Sequence, residues 1–153
     1  AKGALAQAIE TGATFAEYKK SMSGFLEAEG ILSANPFHLE ICFKNATLGS
    51  FQHGRLRQLT TPTMLKARPA WIYKTAGDSR VREAHRLLAG QVRLATDPFW
   101  ENHFPPGGHA CRCTVEAMSL SEAEETGFSK GPAPAEFDEG WAGTPQRWLE
   151  GLD

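Results

Sequence analysis

His85, His103, His109, Cys111 and Cys113 fall within 29 residues, and chemistry is most concentrated there. Imidazoles and thiolates are the usual ligands of zinc, and a proline-rich loop can bring a histidine to a cysteine pair. The ligand set implied is His85, Cys111, Cys113 and one of His103 or Asp78, with zinc as the ion. The Cys-x-Cys spacing weakens this reading. Side chains on alternate residues of a regular strand point the same way but rarely chelate one ion well. If Arg112 points outward, both thiols point inward, and the plainer alternative is two small buried residues beside a packed histidine.

The same residues admit two catalytic readings. Cys111 or Cys113 can serve as a nucleophile with His85 as base, or Asp78 and His85 can serve a nuclease whose phosphate is held by Arg80 and Arg82. Neither has a local signature. The chain carries no G-x-S-x-G, no phosphate-binding glycine loop and no H-E-x-x-H. Asp78 is accounted for as a helix cap, and the two arginines as partners for carboxylates. The expectation is a protein that is not an enzyme, with no catalytic residue and no cofactor other than the zinc just described.

These side chains depend on the elements that carry them. Ala4 to Thr11 reads as a short helix stopped at Gly12, and Thr14 with Glu17 forms a capping box for the next. Phe15, Tyr18, Met22 and Phe25 follow at helical spacing and should share one core. Asn35 as cap and Pro36 in the first turn open a longer helix to about Leu59, carried by Leu39, Phe43, Ala46 and Leu56. Residues 62 to 69 read as connection. Ala70 to Thr75 is aromatic and β-branched, which predicts a strand. It should feed straight into a helix from Arg80 to Ala89, capped by Asp78 or Ser79 and ended by Gly90.

Gln91 to Ala95 predicts a second short strand and Ala110 to Met118 a returning one. Between them lies a proline and glycine loop, Asp97 to His109, held down by Phe99, Trp100 and Phe104. Ser119 and Glu122 stand at capping-box spacing before a short helix that Gly127 ends. From Phe128 the glycine, proline and acidic content reads as an extended tail. Its Trp141, Trp148 and Leu149 are too apolar for solvent and should dock on this domain or on a partner.

Composition bounds the rest. Of 153 residues, 41% are hydrophobic and 22% charged, near the globular average, so wholesale disorder is not expected. The formal net charge is −2, unevenly placed. Between Arg55 and Arg93, nine lysines and arginines stand against Asp78 and Glu83, while residues 131 to 153 hold Arg147 against five acids. A basic middle can meet nucleic acid or an acidic protein surface. Three cysteines cannot all pair, and a Cys111–Cys113 ring would be strained, so reduced thiols in a cytoplasm are expected. No stretch approaches the roughly 20 apolar residues of a bilayer span, and no signal peptide is evident, which implies a soluble, unexported chain with no membrane partner. The start at Ala1, without methionine, reads as a processed product or a piece of a longer protein.

Taken together, several rare pieces resemble the Mu F-like head morphogenesis proteins of tailed phages. They are the aromatic strand Trp71 to Tyr73, the DSRVREAH run Asp78 to His85, then Leu88 and Gly90. Next come DPFW at Asp97 to Trp100, PPGG at Pro105 to Gly108 and CRC at Cys111 to Cys113. The likeness runs from about residue 55 to 127, ending on the acidic helix Leu120 to Gly127. Residues 1 to 59 resemble the family in pattern only, including the stretch Asn45 to Arg57. Val81 and Glu83 stand where the family usually has threonine and proline, and much of the family's N-terminal region is absent.

The resemblance implies a minor head protein of a tailed bacteriophage or prophage, acting in procapsid assembly at the portal and in DNA packaging or delivery. Its partners would be the portal and other capsid proteins, with DNA reached through residues 55 to 93. It would reside in the virion head, and in the host cytoplasm during assembly. The rivals are a carrier or effector domain of nuclease or toxin type, and a zinc-dependent binding module. The fold expected is α+β: N-terminal helices on a small antiparallel sheet, with a long proline and glycine loop and an extended C-terminal tail. Residues 1–60 would be the helical part, 61–127 the α+β core forming one domain with it, and 128–153 the acidic tail.

Overall fold

The computed structural model describes residues 2–28 and 35–141 and divides the chain into two compact units, Ala1–Leu48 and Gly49–Asp153. In the first unit, α1 (Lys2–Thr11) ends where Gly12 turns to a φ of +66°, and α2 (Phe15–Ala28) follows. The expected capping box is present: Glu17 N donates to Thr14 Oγ1, and Thr14 N donates to the Glu17 carboxylate. Tyr18 and Met22 are buried with Ala8, and Leu39 and Phe43 of α3 (Pro36–Leu59) pack on them. Phe43 stacks on Tyr18 with ring centroids 5.2 Å apart. Phe25, expected in this core, is 42% exposed. At about 100° per residue, Leu26 lies nearer than Phe25 to the direction of Met22 and Phe15, and Leu26 takes the inward place.

α3 opens as expected, with Phe37 N donating to Asn35 Oδ1. Its last turns, from Gly49, belong to the second unit, where Leu56 and Leu59 are buried. Residues 62 to 69, read as connection, instead contain α4 (Pro62–Ala67). Thr61 caps it by accepting from Met64 N, and Pro62 fills the first position, where a missing N–H costs nothing.

The second unit is built on a three-stranded antiparallel sheet of order β2-β1-β3: β1 (Ala70–Lys74), β2 (Val92–Leu94) and β3 (Thr114–Met118). Central β1 is buried on both faces, which explains its unbroken apolar run AWIY. Trp71 and Tyr73 join the main core with Leu88, Phe99, Trp100, Phe104 and Val115. Ala70 and Ile72 face the other way, with Val92, Ala123 and Phe128. The fold class is therefore α+β, with helix laid on a small antiparallel sheet as the sequence led one to expect.

Both sheet edges are closed by polar groups from elsewhere in the chain. On β3 the outward carbonyls alternate, and Gln52 Nε2, Arg55 Nε and Arg68 donate to those of Cys113, Val115 and Ala117. On β2, Ser129 N donates to Val92 O while Ser129 Oγ accepts from Val92 N. Unpaired strand edges invite association with other chains, and these contacts block it.

Four further expectations are corrected. The helix after β1, α5, spans only Glu83–Leu88, and Arg82 stands at its cap position without a side-chain hydrogen bond. Asp78 does not cap it, because both carboxylate oxygens are held by Arg112 while Oδ1 accepts from Arg80 N. The strand thus reaches the helix through a turn at residues 75–82 rather than directly. The loop Asp97 to His109 contains α6 (Phe99–His103), whose first N–H is taken by Asp97 Oδ1 at 2.8 Å.

α7 (Leu120–Thr126) has the full Ser119–Glu122 capping box and ends at Gly127. Residues 128–141, the described part of the acidic stretch, form no helix or strand but dock on their own unit: Phe137 is buried, and Trp141 packs against the main core. Trp148 and Leu149 lie outside the described residues. No helix among the described residues is long and apolar enough to cross a membrane.

Candidate metal centre

His85 stands in the first turn of α5, and Cys111 and Cys113 approach from the loop before β3. All three are at most 3% exposed. The backbone passes through the left-handed region at Ala110, with a φ of 53°, and regular strand begins only at Thr114. Cys111 and Cys113 therefore lie on irregular backbone, and the objection to chelation by alternate residues of a regular strand does not apply. Arg112 between them does point outward, gripping Asp78 with N–O distances of 2.7 and 2.8 Å.

His85 Nδ1 lies 3.5 Å from each sulfur, and the three ligand atoms are all within 4.8 Å of one another. Nε2 lies 3.2 Å from the Gly107 carbonyl. A carbonyl only accepts, so in the neutral ring Nε2 carries the proton and the Nδ1 lone pair is aimed at the sulfurs. The Phe137 ring covers the imidazole, with centroids 5.4 Å apart.

Burial and mutual hydrogen bonding shift all three groups of the cluster. The hydrogen bond from the Cys113 thiol, with the one shared with His85, pulls Cys111 well below the ordinary thiol range despite its burial. Cys113 is pushed up correspondingly by that same bond and by burial. The bond to Cys111 raises His85 above its ordinary value, against the desolvation that opposes charge. Tyr73 is pushed up chiefly by burial and then by the neighbouring Cys113, beside whose thiol its buried hydroxyl lies.

The other expected ligands are elsewhere engaged. His103 stacks on Phe99 with centroids 4.5 Å apart. Its Nδ1 lies 3.1 Å from Phe99 O and its Nε2 3.1 Å from Glu136 Oε2, so neither nitrogen is offered to the cysteines. Asp78 is committed to Arg112, and that bond holds its carboxyl well below the ordinary carboxylate range. His109 is exposed, its ring edge-on to Trp141 at 4.9 Å. All three cysteines are free thiols, and Cys42 is exposed on α3.

Sequence reasoning missed three contributors: the Gly107 carbonyl, Tyr73 and Phe137. Gly107 and Gly108 adopt no positive φ, and what they supply is space. A Cβ on Gly107 would lie 2.1 Å from the Phe137 ring, and one on Gly108 would lie 2.3 Å from the Asp138 carboxylate. The signal available in the sequence was a lone phenylalanine between acids in an otherwise polar stretch.

Residues 2–116 match the model of the family described as Phage Mu protein F like protein. The chain is 26% identical over 144 residues to the Mu-like prophage FluMu F protein of Haemophilus influenzae, covering 86% of this chain and 34% of that protein. It is 33% identical over 107 residues to the putative capsid assembly protein F of Escherichia phage Mu, covering 67% of this chain and 24% of that protein. This chain thus spans only about a quarter to a third of the length of those relatives. No solved structure matches it.

Proposed function

Because the chain belongs to the phage Mu protein F-like family, we propose that it is part of a minor head protein of a tailed phage or prophage. In this reading it acts in procapsid assembly at the portal, through contacts with portal and other capsid proteins. It resides in the head of the virion, and in the host cytoplasm while particles form. The observation that carries the reading is the extent of the family match, which runs from α1 into β3 and takes in His85, Cys111 and Cys113. The name of the phage Mu relative, a putative capsid assembly protein, agrees with it.

Protein contact is favoured over DNA as the main mode of action by the fate of the basic segment. Of the nine bases between Arg55 and Arg93, six arginines have partners within the chain. Arg55 and Arg68 close the β3 edge, Arg80 pairs with Asp78, Arg82 with Asp138 and Arg86 with Glu83. Arg93 is buried over the Phe99 ring, 4.6 Å from its centroid. Contact with DNA during packaging or delivery would then fall mainly to Arg57, Lys66 and Lys74.

The mode of action is binding rather than turnover. Supporting this, His85, Cys111 and Cys113 are almost wholly buried, and the cleft that reaches His85 and Cys113 has room for about one water molecule. Cross-linking mass spectrometry on purified procapsids tests the assembly role, alongside a chain-terminating mutation in the phage or prophage gene. Cross-links from this segment to portal or capsid subunits are expected, with loss of filled heads in the mutant. Normal head yield in the mutant, with the protein absent from procapsids, overturns the proposal.

A further inference from the structure

We propose that His85 Nδ1, Cys111 Sγ and Cys113 Sγ bind one zinc ion, its fourth position taken by water from the cleft toward Arg80, Arg82 and Arg112. This goes beyond the assembly reading and does not depend on it. Zinc bonds of about 2.3 Å to sulfur and about 2.0–2.1 Å to nitrogen, at a tetrahedral angle, set nitrogen and sulfur about 3.6 Å apart. Both nitrogen–sulfur distances here are 3.5 Å. A single ring nitrogen has one lone pair in its plane, so it cannot accept from two thiols at once. With the two sulfurs drawn from within 4.8 Å of each other to about 3.8 Å, a cation at the shared focus satisfies nitrogen and both sulfurs together.

The surroundings fit a metal as well as the ligands do. Metal-bound histidines usually donate their other N–H to a carbonyl or carboxylate, which fixes the tautomer, and Gly107 O accepts from Nε2 here. The Tyr73 hydroxyl, buried beside Cys113 and hydrogen-bonded to it, is a donor placed for a metal-bound thiolate. His85 and Cys113 line the cleft together with Arg80, Arg82 and Arg112, so solvent reaches the open coordination position. On binding, the thiol protons pass to solvent, leaving two thiolates and a neutral imidazole on the ion, and no oxidation state changes.

The test uses the full chain, dialysed against zinc and then against metal-free buffer. About one zinc per chain is expected by elemental analysis. Cobalt(II) in its place should give thiolate-to-metal charge-transfer absorption and the intense visible bands of a tetrahedral site. Cys111→Ser, Cys113→Ser and His85→Ala should lose the zinc, whereas His103→Ala and Asp78→Asn should keep it. Chelation of the wild-type chain should lower its Tm, a readout that needs no variant to fold. The proposal is overturned if the folded wild-type chain retains no zinc and shows no cobalt charge-transfer band. It is overturned equally if both serine variants keep their zinc, or if folded His103→Ala loses it.

Discussion

Replacing Gly107 with alanine tests how the acidic stretch is held. The new methyl would stand 2.1–2.4 Å from three atoms of the Phe137 ring, a separation that packed carbons do not tolerate, so either the ring or the loop must move. Gly107 takes no positive φ, so the backbone itself accepts alanine and the penalty is steric alone. If the ring leaves, the burial of one phenylalanine is lost, about 1.5–3 kcal/mol. The hydrogen bond from Asp138 N to Gly107 O goes with it, about 1 kcal/mol. The expected cost is about 3 kcal/mol, which in a unit of this size lowers Tm on the order of 15–20 °C.

Phe137→Ala should cost a similar amount, about 3 kcal/mol, by removing the same contact from the other side. In that background the Gly107 methyl enters vacated space, and its added cost should fall below about 1 kcal/mol, giving a coupling energy of about 2–3 kcal/mol. Urea denaturation of the four proteins in the cycle measures this. Additive penalties, or a harmless Gly107→Ala, would refute the docking of Phe137 on the PPGG loop.

Other consequences follow from single contacts. Gln52→Ala leaves the Cys113 carbonyl without its buried donor, and a loss of about 1–3 kcal/mol with an unchanged m-value is expected in denaturant titration. Ser119→Ala removes the side-chain half of the α7 capping box and should lower stability by about 1 kcal/mol; a neutral result would mean that α7 contributes nothing to cooperative folding. The Asp78 carboxyl is held below its ordinary value of 3.8 by Arg112. A group depressed in the folded state stabilises above its unfolded pKa and loses that contribution as pH falls through the folded one. Stability measured below about pH 4 should therefore decline less steeply in Asp78→Asn than in the wild-type chain. An identical acid profile would show that the ion pair contributes nothing.

Much of the local structure was legible because its causes are local. The Thr14–Glu17 and Ser119–Glu122 boxes, the Asn35 cap and the stop at Gly12 each depend on residues at most three apart, and all are present. The Thr61–Pro62 and Asp97–Pro98 starts are equally local, and reading their surroundings as loop overlooked a cap residue followed by proline. Asp78 was misassigned for a different reason. As a helix cap it needed only its neighbours, whereas its actual partner, Arg112, is 34 residues away.

The candidate site divides in the same way. Sequence alone singled out His85, Cys111 and Cys113 by ligand type and by nearness along the chain, and the resemblance to Mu F-like proteins by the order of rare motifs. Tertiary structure decided that these three converge, that His103 turns instead to Phe99 and Glu136, and that six arginines of the basic segment meet partners within the chain. The physical reason is range. Caps and helical faces follow from bonds and periodicities that span a few residues, while a ligand set, an edge carbonyl's donor or the ring that needs a glycine's missing Cβ exists only once distant segments have met.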